Sequence, residues 1–187
     1  MTLTNLFRAS AYALISIAFL IAPCARSAES SSTLNIELAS DAKGTTGKFW
    51  RISTFEDKTC QSDDRGTQIA RKLLGNSGGL LKPVSIPAGR EVTMGFGYIE
   101  SRFKQTRECS YTLTFTPTAS RNYKAFFSVN SDTGQCGVVL QGDDATPVET
   151  SAPALACVHG LMPKLQNGQM GGRDVDIQMK ILVPITH

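Results

Sequence analysis

The sequence predicts an all-β chain: a two-layer antiparallel β-sandwich, Ig-like or related, of about eight strands with one short helix. Three observations carry that expectation. Apolar and polar residues alternate with period two over most of the chain beyond residue 28, as in strands with one face on a core and the other in water. Turns rich in Gly and Pro separate the alternating runs. Four cysteines, Cys60, Cys109, Cys136 and Cys157, follow an N-terminal segment that reads as a secretory signal, so two structural disulfides are the default.

Residues 1–28 read as that signal, and residues 29–187 as a single disulfide-bonded domain. Arg8 and the free amine supply positive charge, and Ala9 to Ala22 form an apolar run without a charge. At about 1.5 Å per residue such a helix reaches roughly 21 Å, short of the roughly 30 Å hydrocarbon layer. Pro23 breaks it, and the small residues Ala25 and Ser27 precede a cleavage site near Ala28. Cys24 raises lipidation, but Pro23 stands where a lipid-attachment site takes a small residue. The expected location is periplasmic or secreted, with no membrane span after processing.

The elements follow in order. Leu34, Ile36 and Leu38 alternate with Asn35 and Glu37. Phe49-Trp50-Arg51-Ile52 begins a second strand after the turn at Gly44–Gly47. Thr67–Leu74 contains good helix formers, with Asp63 and Asp64 ahead of it and Gly75 behind, which predicts the short helix. Gly75–Gly79 reads as a flexible link. A third strand near Lys82–Ile86 leads through Pro87-Ala88-Gly89-Arg90 into a fourth carrying Val92, Met94, Phe96 and Tyr98 on one face. Within it, Gly95 and Gly97 predict a bulge or the close approach of another backbone.

The clearest alternation sets Cys109, Tyr111, Leu113 and Phe115 against Ser110, Thr112, Thr114 and Thr116, with threonine expected on the wet face. Tyr123, Ala125, Phe127 and Val129 line up next, and Cys136–Leu140 returns; the three runs read as a meander. Gln141–Pro153 and Leu161–Gly172 read as loops. Val175, Ile177, Met179, Ile181 and Val183 predict a C-terminal strand. Three disulfide connectivities are open. Cys109 with Cys136 is preferred because that pair brackets adjacent strands of the meander, and Cys60 with Cys157 then follows by elimination.

Composition limits the function classes. Hydrophobic residues make up 41% and charged residues 19%, which excludes a disordered chain and a polytopic membrane protein. The 19 basic residues nearly balance the 16 acidic ones once Arg8 and Arg26 leave with the signal. Without a basic run there is no footprint for nucleic acid. Arg102, Lys104 and Arg107, beside Glu100 and Glu108, read as a solvated loop.

No catalytic residue, cofactor or metal ligand is assigned. A nucleophile would need His159 as its base, since His187 is the last residue, and no G-x-S-x-G elbow surrounds a serine. Asp174 and Asp176, with Asp143-Asp144 or Asp63-Asp64, lack the D-x-D-x-D-G loop that holds calcium, and the cysteine spacings match no paired C-x-x-C zinc site. Glu37, Glu91, Glu100 and Asp176 lie on predicted strands, but nothing in the sequence brings two of them to a catalytic separation. Trp50, Tyr98, Tyr111 and Tyr123 could stack on sugars, although aromatics at alternating strand positions are more often core.

Ile86-Pro-Ala-Gly89, the run from Cys109 to Pro117, Tyr123 and Cys136-Gly-Val-Val139 together resemble a pattern in exported bacterial β-sandwich proteins of uncharacterised role. The resemblance covers the middle third of the chain and implies an envelope location and a disulfide-linked sheet, without implying a reaction. The expected role is non-catalytic: binding another macromolecule, protein or glycan, of the envelope or exterior. Two other classes compete, a secreted hydrolase with an unrecognised site and an assembled surface or pilus-like subunit. Against the last, Val183-Pro-Ile-Thr-His187 lacks the penultimate tyrosine usual in the terminal strand of pilus subunits.

Overall fold

The computed structural model describes residues 30–61, 65–74, 78–157 and 165–174. Ten strands occupy them: β1 (Ser31–Ser40), β2 (Gly47–Phe55), β3 (Thr67–Leu74), β4 (Gly79–Leu80), β5 (Val84–Pro87), β6 (Val92–Arg102), β7 (Gln105–Phe115), β8 (Asn122–Asn130), β9 (Gln135–Gly142) and β10 (Met170–Asp174). They form two five-stranded sheets. One has the order β4-β1-β8-β9, with β5 also paired to β1; the other has the order β10-β7-β6-β2-β3. The described residues are all-β, and no helix among them is long and apolar enough to cross a membrane.

The alternation works as the sequence implies where strands line the common core. Leu34, Ile36 and Leu38 of β1 and Tyr123, Ala125 and Phe127 of β8 meet Trp50, Ile52, Met94, Phe96 and Tyr98 from the other sheet, all buried. Phe127 packs against Trp50 at 5.3 Å and against Phe96 at 5.6 Å between ring centroids, so the aromatic contacts tie one sheet to the other. Each large apolar side chain withdrawn from water in this way contributes roughly 1.5–3 kcal/mol.

Several expectations are corrected. Thr67–Leu74 is not a helix but strand β3, paired antiparallel to β2 from Thr54↔Thr67 to Lys48↔Leu74. Hydrogen bonding to β2 overrides the helix propensity of Ala, Arg, Lys and Leu, a weak local preference. A register shift at Ile52/Ser53 also breaks the alternation that would have marked β3 as a strand. The sheets are not wholly antiparallel: β1 and β8 pair in parallel from Thr33↔Asn122 to Ser40↔Val129. Parallel neighbours need a long crossover, and everything from β2 to β7 supplies it.

The meander is corrected too. β7 belongs to one sheet and the β8–β9 hairpin to the other, so Cys109–Cys136 bridges two sheets instead of adjacent strands. Part of the expected loop Leu161–Gly172 is strand, because Met170 and Gly171 open β10 opposite Cys109 and Glu108. Registers run through Gly95 and Gly97 without a shift, so neither marks a bulge. The described part of the expected link is fixed: a side chain at Gly78 would collide with the Leu38 carbonyl, and Gly79 has φ +138°. The expected strand from Val175 to Val183 lies outside the described residues.

Threonines expected in water are buried. The chain at 151–157 pairs with β7 through Thr114 N–H to Ser151 O, 2.8 Å, and then passes over Thr112, whose hydroxyl accepts the Cys157 N–H at 2.9 Å. Ser110, Thr112 and Thr114 are thereby covered on the face that turns away from the main core. Phe55, Cys60 and Cys157 form a second small cluster, and the Cys60–Cys157 disulfide staples this covering layer down.

Candidate functional site

Several sequence candidates, His159, His187, Asp63, Asp64 and Asp176, lie outside the described residues. Asp174 is exposed at the end of β10, opposite Gln105. Asp143 and Asp144 serve a turn, since Arg121 reaches both, at 3.5 and 3.0 Å. Asp144 also accepts the Thr146 hydroxyl at 2.6 Å, and that bond is the main reason its carboxyl lies below the usual range. No cluster of His, Cys, Asp and Glu that could hold a metal occurs among the described residues.

The strand carboxylates are dispersed. Glu37 pairs with Lys124 at 2.7 Å on one sheet, and Glu91 pairs with Lys58 at 2.8 Å beside the start of β6. Glu100 lies nine positions along the same strand, roughly 30 Å away at about 3.3 Å per residue, far outside the 5–10 Å that glycoside hydrolysis needs. The candidate sugar-stacking rings are core: Trp50, Tyr98 and Tyr123 are buried, with Trp50 and Tyr98 4.5 Å apart, and Tyr111 is half-buried against the same cluster.

Glu100 corrects the reading of a solvated loop. Its side chain is fully buried, and Glu108 is buried as well. The Tyr98 hydroxyl donates to Glu100 at 2.8 Å and the Ser131 hydroxyl at 3.0 Å; Arg102 reaches it at 3.0 Å and Arg107 at 3.3 Å. Arg107 also donates to the Ser131 carbonyl at 2.8 Å, and Tyr98 contacts the Ser40 hydroxyl at 2.9 Å. The network ties β6 and β7 of one sheet to β1 and the β8–β9 turn of the other. Its groups satisfy one another, so it braces the fold.

At the opposite end of β6 the surface opens. A cleft of about 790 Å³ is lined by Thr54, Phe55, Lys58, Thr67, Arg90 and Glu91, among others. The end of β2, the start of β3 and the β5–β6 turn converge there. The Glu91 carboxylate, bonded to Lys58, raises the pKa of that ammonium. Phe55 joins this wall to the Cys60–Cys157 cluster. Beside it a shallower hollow of about 470 Å³ runs past Thr59, Gln61, Pro153 and Leu155. Hydroxyls, an ion pair and one aromatic floor can hold a ligand, and among the cleft's lining residues no nucleophile meets a base. The Pro87–Gly89 turn was the sequence signal for this end; which strands meet it depends on the sheet order.

No protein-family profile, curated protein or solved structure matches the chain.

Proposed function

We propose that the chain is a non-catalytic protein exported to the periplasm or exterior, a β-sandwich that binds another macromolecule, protein or glycan, of the envelope or its surroundings. The observation that carries this reading is the open cleft where β2, β3 and the β5–β6 turn meet, mounted on a body cross-linked by two disulfides. Disulfides of this kind suit an oxidising compartment. A cleft walled by Thr54, Thr67 and the Lys58–Glu91 pair offers hydrogen bonds and charge on a fixed frame, which suits recognition.

The test uses the processed chain as bait in an envelope extract, with Thr67→Arg as the matched variant. Thr67 is exposed on an edge strand, so arginine there narrows the cleft without touching the core. A component captured by the parent and lost with Thr67→Arg supports the reading. Equal capture by both moves binding away from the cleft. Sustained turnover of polysaccharide, peptidoglycan or ester substrates replaces the reading with a hydrolase.

A further inference from the structure

The outward face of the β2–β3 pair carries a charge arrangement that folding alone does not favour. Arg51 and Arg71 are direct cross-strand partners, so their side chains leave the same face about 5 Å apart at their Cβ atoms. Like charges in that position repel. Arg51 is held by neutral acceptors, the Ser53 hydroxyl at 3.1 Å and the Arg65 carbonyl at 2.8 Å. No carboxylate among the described residues forms a salt bridge with either guanidinium. Cations on an edge strand discourage edge-to-edge pairing, which suffices for Arg71. It does not explain Arg51, because β2 lies between β3 and β6.

Two residues along the same strands, Phe49 and Leu73 are also partners, and therefore share this face. Leu73 is 78% exposed and Phe49 is half-buried. A cationic pair thus sits roughly 7 Å from an apolar pair on one rigid surface. Guanidinium groups take planar oxyanions through paired N–H bonds, and an aromatic ring with an aliphatic neighbour accepts the apolar face of a sugar ring.

We propose that this face binds an anionic glycan, its carboxylate or phosphate oxygens between Arg51 and Arg71 and its sugar ring against Phe49 and Leu73. The inference rests on the reading of the chain as a binding protein and names the class of its partner. Thr54 and Thr67, which line the cleft, belong to the other face of the same two strands, so this contact is separate from the cleft. A single cationic pair fits one anionic group per repeat, whereas a nucleic acid backbone would need more phosphates neutralised together.

The test is calorimetric titration of the processed chain with polygalacturonate and with phosphorylated mannan, using neutral dextran and single-stranded DNA as comparisons. Binding of either polyanion, but not of dextran, is expected, and the tighter of the two identifies the oxyanion. Arg51→Gln and Arg71→Gln should each weaken it by about tenfold or more, the loss of a charge-assisted contact. Lys104→Gln, at the β6–β7 turn, should leave it within about twofold, as a surface change remote from the contact.

Arg71→Glu separates the site from folding, because it should abolish binding while raising the melting temperature as repulsion across the strands becomes attraction. Binding retained in Arg71→Glu, or DNA bound as tightly as the glycans, overturns the proposal. If neither polyanion binds while the bait still captures an envelope component through the cleft, the glycan inference falls and the binding reading stands. If nothing binds in either experiment, both fall.

Discussion

Replacing Glu100 with alanine tests whether the buried polar network braces the two sheets. The carboxylate accepts hydrogen bonds from Tyr98 and Ser131 and neutralises Arg102 and Arg107. Arg102, with a side chain 36% exposed, can turn to water at little cost. Arg107 cannot do so as freely: its side chain is 19% exposed and remains anchored to the Ser131 carbonyl. Removing the acid therefore leaves a mostly buried cation without its counter-charge, and Ser131 and Tyr98 each lose an acceptor. Breaking a buried pair from one side costs about 3–5 kcal/mol. For a domain of this size that lowers the melting temperature by roughly 6–20 °C.

Urea unfolding followed by tryptophan fluorescence is the assay. Trp50 is the single tryptophan, fully buried, and packs at a tilt against Tyr98 of the network. The midpoint should fall with the slope unchanged. A second variant isolates the cause: Glu100→Met with Arg107→Met replaces the pair by apolar volume and should recover most of the loss, because the penalty lies in the orphaned charge. A Glu100→Ala loss under about 1 kcal/mol would refute the argument, since it is the size expected of an exposed ion pair. No recovery in the double variant would show that the geometry of the network matters beyond its charge.

Three further outcomes are expected. Peptide mapping without reduction should join Cys109 to Cys136 and Cys60 to Cys157; removing the second bridge, with sequence separation 97 against 27, should cost about 1 kcal/mol more in the chain-entropy model. The reverse ranking would place the stabilisation in the native state. Burial, aided by the hydrogen bond to Glu100, holds the Tyr98 phenol well above its ordinary 10.0, so the stability it confers is complete below about pH 10 and is lost as the pH rises through the folded-state value. Ultraviolet titration should show Tyr98 ionising only as the chain unfolds, and a phenolate that forms in the folded chain contradicts this. Mass spectrometry of the chain from its native cell should find an N-terminus near Ala28, and an intact Met1 would refute export.

The sequence showed the core and concealed the connections. Leu34-x-Ile36-x-Leu38 and Val92-x-Met94-x-Phe96-x-Tyr98 were legible because a face buried on one sheet writes itself as alternation within a few residues. Thr112 and Thr114 were read as wet because their covering layer, residues 151–157, lies some forty positions downstream and shows no periodicity of its own. β3 was misread because an edge strand built from helix formers acquires its conformation from β2, and the irregular register at Ile52/Ser53 hides the period. Glu100 looked solvated for a similar reason. Its partner Ser131 reaches it only through the packing of the two sheets, which local charge patterning does not record.

The same reasoning locates where a ligand can act on this fold. The end of β6 at Glu100 is occupied by groups that satisfy one another, and the flank at Cys109–Cys136 is closed where Gly168 and Met170 bond to Cys136 and Gly134. The face of β7 that turns from the core lies under the layer stapled by Cys60 and Cys157. The β2–β3 flank stays open, together with the cleft into which those strands run. There Arg51, held by hydrogen bonds to Ser53 and to the Arg65 carbonyl, keeps its charge opposite Arg71 without rearrangement on binding. A cation already immobilised loses little entropy when it meets an anion. The repulsion tolerated in the free chain becomes attraction to the ligand.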